Sequence, residues 1–255
     1  MMKKLQDKTV FISGGLSEIS KACAIAAATE GANIAVADIK SNKTDKAMQE
    51  IKNVNPKAIF IECDVSVFAQ VQLAIEKTLS VFGTLDVALN NTGIGDKPNK
   101  VNNMTDKAWL KVIDVNLNGV FNVMKHELTQ MAKQKNGVIV NIASIFGKSS
   151  AATSSSKFGA AHDSVMGLTL TSALEYSTEG IRINAICPGF FETPSLAKGG
   201  ISGYAEIKKH IINSNSRQHL CKSEQIVSGF IFLACNDSSF VSGNIIEIGG
   251  GYLAL

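Results

Sequence analysis

The stretch Thr9-Val10-Phe11-Ile12-Ser13-Gly14-Gly15-Leu16-Ser17-Glu18-Ile19-Ser20 decides the fold. Its first five residues carry no charge and read as a strand covered on both faces. Two glycines then open a turn, and Ser20–Glu30 reads as a helix. A glycine-rich turn between strand and helix lets backbone approach a pyrophosphate lying on the helix N-terminus. Ser13, Gly14, Gly15, Ser17 and Ile19 suit that use. Glu18 does not, because a carboxylate beside phosphate charge is repulsive by about 1–4 kcal/mol per close pair. Glu18 also has a purely local reading. An acidic residue in the first turn complements the helix dipole, and with Ser17 it can satisfy free N–H groups. The chain's own carboxylate then stands where a phosphate would lie.

Working outward, the same alternation runs along the whole chain. Strands are expected at Thr9–Ser13, Asn33–Ala37, Ala58–Glu62, Val87–Asn90, Gly137–Ile142, Arg182–Ile186 and Asn244–Ile248. Helices are expected at Ser20–Glu30, Thr44–Val54, Val67–Phe82, Lys107–Gln134 and Ser164–Thr178. Continuously apolar strands alternating with helices imply an α/β fold, a doubly wound parallel sheet with helices on both faces. No linker divides the 255 residues, so 1–255 is read as one domain. Asp38 ends the second strand about 20 residues past the glycine turn, where a carboxylate binds a ribose 2′-hydroxyl and disfavours a 2′-phosphate.

Composition narrows the partners. A hydrophobic share of 45% supports a sizeable core, and 18% charged residues argue against disorder. A net charge of +3 gives no case for nucleic acid or an anionic membrane, and no apolar run approaches the ~20 residues of a spanning helix. The N-terminus passes into a strand without a secretory apolar region, which implies a cytoplasmic location. Cys23, Cys63, Cys187, Cys221 and Cys235 are scattered and form no C-x-x-C, so reduced thiols are expected. Cys221 alone sits in a polar stretch.

Further motifs follow in order. Cys63-Asp64-Val65 comes after the third strand, and Asn90-Asn91-Thr92-Gly93 after the fourth. Asp114-Val115-Asn116-Leu117 lies in the long helix, and Asn141-Ile142-Ala143-Ser144 after the fifth strand. Pro188-Gly189 with Thr193 follows the sixth; Phe240-Val241-Ser242-Gly243 and Gly250-Gly251-Tyr252 lie near the end. With this set the chain resembles the short-chain dehydrogenase/reductase family over essentially its whole length. The resemblance implies a single Rossmann-type domain with a seven-stranded parallel sheet. It also implies hydride transfer between NAD(P) and a small-molecule alcohol or carbonyl, and a homo-oligomer, dimer or tetramer. It assigns cofactor contacts to Ser13, Gly14, Gly15, Ser17, Glu18, Ile19, Asp38, Asp64, Val65, Asn91, Thr92, Gly93, Pro188, Gly189 and Thr193. NAD is expected over NADP because of Asp38, with binding weakened by Glu18.

The family's catalytic serine corresponds to Ser144 and its proton-relay asparagine to Asn116. Its Tyr-x-x-x-Lys pair has two candidate registers. In the first, Thr153 and Lys157 fill the roles, but Lys157 lies ten residues before Gly167 where the family has five. Five extra helical residues turn the face by about 500°, net ~140°. In the second, preferred here, Phe158 takes the Tyr position and His162 the Lys position. Neither register supplies a tyrosine, and Tyr176 is too far along the helix. Lys157 is then expected at the solvated start of the helix. A phenyl ring has no proton to give, and losing a positioned acid or base costs about 10²–10⁴ in rate.

Residues 190–216 correspond to the family's substrate lid, and Arg217–Ser223 have lost much of the family pattern. The apolar tail Tyr252–Leu255 is expected to be buried against another subunit. Three readings of function remain. One is a degenerate member with impaired hydride transfer. A second is an active NAD-dependent enzyme with a substitute proton donor. The third is a structural or interaction subunit without catalysis.

Overall fold

Seven parallel strands form one sheet in the order β3-β2-β1-β4-β5-β6-β7, in a computed structural model that describes residues 3–95, 100–145, 156–189, 209, 212–213 and 217–254. The strands are β1 (Thr9–Ser13), β2 (Asn33–Asp38), β3 (Ile59–Glu62), β4 (Val87–Asn90), β5 (Gly137–Ile142), β6 (Ile181–Pro188) and β7 (Ile245–Ile248). Three of the expected strands have the observed bounds; β2, β3 and β7 differ by one residue at one end, and β6 is longer by one residue at its start and two at its end.

Alternation along each strand divides the core into two layers. Val10 and Ile12 of β1 meet α1 (Glu18–Thr29) and, near the C-terminus, the apolar face of Ser223–Ala234. Phe11 faces the other layer, where α3 (Phe68–Phe82) and the two longest helices contribute Val71, Ile75, Val123, Met124, Val165 and Met166. The remaining early helix is α2 (Thr44–Lys52). Burial of continuous Val, Ile and Ala runs on both faces is the main stabilising term for such a sheet, at about 25 cal/mol per Å² of apolar surface removed from water.

The expected single helix Lys107–Gln134 is corrected. It is three segments: α4 (Asp106–Ile113), a π turn (Asp114–Asn118) and α5 (Gly119–Gln134). The Gly119 N–H reaches back to the Asp114 carbonyl, one residue further than in an α-helix. Gly119 is needed there, because a Cβ would lie 2.5 Å from Cγ2 of Val65. The next helix, α6, spans Ser156–Glu175 rather than starting at Ser164. Lys157 is therefore not at a solvated helix start: it is fully buried, on the same face as Ala161 and Val165. α6 packs against β6 and the π turn.

The last helix is α7 (Ser223–Ala234). Arg182 of β6 ties it down. Its Nη1 donates to Ser238 Oγ (2.9 Å) and the Val241 carbonyl (3.3 Å), and its Nη2 to the carbonyls of Leu233 (3.0 Å) and Cys235 (3.1 Å). Tyr252 and Leu253 pack on the chain's own core. The end of β7 delivers both residues to the α3–α5–α6 layer, where they are partly buried. Four cysteines are buried, Cys221 is half-buried, and all five are free thiols. No helix among the described residues is long and apolar enough to cross a membrane.

Candidate functional site

The strand register brings Ser13, Asn90 and Asn141 side by side at the carboxyl ends of β1, β4 and β5. In an open parallel sheet, ligands sit in the crevice beyond that edge, where neighbouring connections leave in opposite directions. Between β1 and β4 the strand order makes such a switch. The edge gathers Gly14–Ile19, Asp38, Asp64–Val65, Asn91–Gly93, Ser144 and Pro188–Gly189. Thr193 and nearly all of residues 190–216 lie outside the described residues, as does Thr153.

The first turn is built for close approach. Gly14 has φ +62°, and a Cβ there would lie 2.4 Å from the Asn91 carbonyl oxygen. Only glycine takes that conformation in that space without strain. Ser17 caps α1, its Oγ accepting from the Ser20 N–H at 3.2 Å. The Asn91 amide donates to Oγ of both Ser17 and Ser20, each at 2.8 Å, and Ser17 Oγ donates to Ser20 Oγ. Ser20 had no role in the sequence reading. It is fully buried where dinucleotide turns carry a third glycine for tight helix–strand packing, and this triangle satisfies its hydroxyl. Glu18 is the first residue of α1 and exposed.

Asp38 is fixed by the turn it faces. Its Oδ2 accepts from the Leu16 N–H (2.9 Å) and its Oδ1 from the Ile39 N–H (2.7 Å). Burial pushes its carboxyl above the ordinary range, and the two N–H groups pull it back. Asp64 Oδ1 accepts from the backbone and hydroxyl of Ser66, and the Val65 carbonyl accepts from Asn122. Gly189 donates its N–H to the Ile248 carbonyl, and a Cβ there would come within 2.7 Å of Gly249 Cα.

Asn116 sits in the π turn, buried. Its Oδ1 accepts from the Ile94 N–H (2.8 Å) and its Nδ2 donates to the Ile94 carbonyl (3.2 Å), which fixes the backbone just after Gly93. The extra residue of the π turn places this side chain on Ile94. Ser144 is buried two residues beyond β5. Phe158 and His162 lie one turn apart on α6 with their rings stacked, centroids 3.9 Å apart. His162 is 7% exposed, and its Nδ1 lies 2.9 Å from the Phe158 carbonyl oxygen. A carbonyl only accepts, so Nδ1 carries the hydrogen. Burial lowers the imidazole pKa, which the Phe158 carbonyl partly opposes, so the neutral ring is favoured. In that tautomer Nε2 holds a lone pair and no proton.

Beneath the edge lies a polar row that the sequence reading missed. The Ser13 hydroxyl donates to Asn90 Oδ1 at 3.0 Å and pairs with Thr92 Oγ1 at 3.1 Å. Asn90 Nδ2 donates to Asn141 Oδ1 (3.1 Å) and to Glu127 Oε2 (2.9 Å); Asn141 Nδ2 donates to Thr169 Oγ1 (2.9 Å). The signal was available. Glu127 occupies an apolar stripe formed by Val120, Val123, Met124, Leu128 and Met131.

Comparisons with known proteins agree over the full length. A family model described as enoyl-(acyl carrier protein) reductase matches residues 14–253. The chain is 34% identical to cyclohexanol dehydrogenase of Acinetobacter sp. (strain SE19), over 99% of this chain and 97% of that one. The crystal structure of levodione reductase superposes with a TM-score of 0.93 at 32% identity, covering 98% of this chain and 99% of that one. The crystal structure of an NAD+-bound xylitol dehydrogenase gives a TM-score of 0.92 at 28% identity, covering 98% and 100%.

Proposed function

Because the chain belongs to the short-chain dehydrogenase/reductase family, we propose that it binds a nicotinamide dinucleotide, preferring NAD, but is a degenerate member with impaired hydride transfer. The observation that carries the second half is the stacked pair Phe158 and His162. Neither ring offers a proton: the first has none, and the second spends its N–H on the Phe158 carbonyl.

The residues at the sheet edge fit a dinucleotide. The Gly14 space that a Cβ would fill, the Ser17-capped N-terminus of α1 and the turn-facing Asp38 carboxylate support pyrophosphate and ribose contacts. Asp64, Val65, Asn91, Thr92, Gly93, Pro188 and Gly189 border the same crevice. The group supplies the hydride acceptor or donor when bound. Ser144 and Asn116 orient what lies beside it, Asn116 by holding Ile94. Glu18 is the exception to the fit, and it opposes phosphate charge. Relatives that act on cyclohexanol, levodione and xylitol by name support a small hydroxyl or carbonyl compound as the second ligand. Buried thiols support a reducing, cytoplasmic setting.

Titration of the protein's fluorescence with NADH and NADPH tests this reading. NADH is expected to bind at least tenfold more tightly, and Glu18→Gly to tighten both by about tenfold, the equivalent of ~1.4 kcal/mol of relieved repulsion. Failure to bind either cofactor removes the dinucleotide reading and leaves a structural subunit. Turnover by the wild type at rates ordinary for its relatives removes the impairment.

A homo-oligomer is also part of the proposal. Leu174 is 77% exposed on α6, with Leu170 one turn before it and Trp109 and Leu110 exposed on neighbouring α4. Such an apolar face supports a second copy as its cover. Light scattering at micromolar concentration should give a mass above that of the monomer, and Leu170→Asp with Leu174→Asp should return the monomer.

A further inference from the structure

Glu127 is the least expected side chain in the core. It is completely buried in the middle of α5, its Oε2 accepts one hydrogen bond from Asn90, and its Oε1 makes none among the described residues. An isolated carboxylate in such surroundings loses its hydration without a cation in return, so it keeps its proton instead. Burial raises its pKa to about 8, against the opposing pull of the Asn90 amide.

Among the described residues no nearby charge compensates. β4 and β5, which pack under α5, carry no titratable side chain, and neither does β1 across the row. From α3 the charged groups are Glu76 and Lys77, both exposed; from the π turn, exposed Asp114. On α5 itself Lys125 and Lys133 are exposed, and the His126 ring lies tilted against Phe68. From α6, Lys157 and His162 are buried, and Asp163 and Glu175 exposed. None of these contributes to the shift of Glu127.

What the carboxyl holds matters more than its burial. Asn90 is gripped on one side by Glu127 and Asn141 and on the other by Ser13, whose hydroxyl pairs with Thr92. Ser13 immediately precedes Gly14, and Asn90 immediately precedes Asn91, so both strands that deliver the dinucleotide turn are anchored on this row. We infer that Glu127 is a positioning residue of the nucleotide site, held as a neutral carboxylic acid, and that loss of its proton loosens the Gly14 turn through Asn90 and Ser13. The ligand half of this inference rests on the dinucleotide reading above; the proton half does not.

The linkage has a definite sign. The folded pKa lies above the ordinary carboxyl value, so the contribution is fully present below about pH 4.5. It is lost progressively as pH rises, and is gone above about 8. Three forms of the full chain test it: wild type, Glu127→Gln, which keeps an acceptor and cannot ionise, and Glu127→Leu as an apolar control that remains folded if Gln does not. Denaturation midpoints in urea between pH 5 and 9 should fall more steeply for wild type than for either variant. Hydrogen exchange of peptides covering residues 10–20 and 88–95, compared between wild type and Glu127→Gln at equal pH, should show at least tenfold faster opening in wild type at pH 9 and no difference at pH 6. NADH affinity should weaken by at least fivefold more for wild type over the same interval. Parallel midpoints in all three forms overturn the proton assignment. A midpoint difference with unchanged exchange overturns the positioning role. Absence of NADH binding at every pH defeats the dinucleotide reading alone, since midpoints and exchange still report on Glu127.

Discussion

Phe158→Tyr combined with His162→Lys is expected to raise NADH-dependent reduction of small cyclic ketones by about 10²–10⁴ over wild type. The argument is local. Phe158 already places a ring on α6, so a tyrosine there adds a hydroxyl without changing the helix. At position 162 the present ring is tied to the Phe158 carbonyl and favours the neutral form. A lysine frees that carbonyl and brings a cation that lowers a neighbouring phenol's pKa. Each single change should recover much less than the pair, because a phenol without the cation is a poor acid at neutral pH and a cation without the phenol moves no proton. Some stability will be lost, since an ammonium group would stand where the His162 ring is almost covered. The measurement is absorbance at the NADH band over a panel of ketones, with cofactor affinity determined in parallel. If the double variant binds NADH as wild type does and is no faster, these two positions do not carry the proposed impairment.

Arg182→Met should destabilise the chain by about 3–5 kcal/mol, lowering Tm by roughly 10 °C. The guanidinium satisfies four acceptors gathered from the end of α7 and the turn after it. Methionine fills similar volume and makes none of these bonds, and hydrogen bonds from a charged donor are worth more than neutral ones. Asn184, buried in β6, donates to the same Val241 carbonyl. Ser238 reaches the Cys235 carbonyl with its N–H, and the Leu233 and Cys235 carbonyls with its hydroxyl. The three carbonyls therefore keep a second donor, and the loss comes from the four charge-assisted bonds themselves. Calorimetry of the purified variant decides it. A shift below about 2 °C would mean that water replaces the arginine and that the clasp adds little.

The sheet was readable because both-face burial writes itself as uninterrupted apolar runs: TVFIS, VALN and GVIVNI have the expected bounds. Helix boundaries were less readable. Hydrophobic period does not register one extra residue, so α4, the π turn and α5 looked like a single helix. α6 was expected from Ser164 with Lys157 at a solvated start, yet Ser156 is already helical and Lys157 is out of water, because the long aliphatic stem of a lysine packs as well as it solvates. At the site, groups whose function depends on backbone position were visible as motifs, among them Gly14, Asp38, Asn91 and Asn116. Ser20 and Glu127 were not, because each owes its importance to partners distant in sequence: Asn91 for one, Asn90 for the other. A glutamate on a helix normally signifies solvent, and only its place in an apolar stripe argued otherwise.

The π turn at Asp114–Asn118 sets the phase between two helices, much as a vernier offsets one scale against another. α4 must lie along α6 while Asn116 reaches Ile94 and Gly119 clears Val65, and a continuous α-helix has no residue to spare for all three. Shortening the segment by one residue would close the regular ladder and swing everything before it by about 100° relative to α5. The information stored there is therefore a length. Most single substitutions at the exposed positions Asp114 and Asn118 leave that length intact, whereas removal of any one residue erases it.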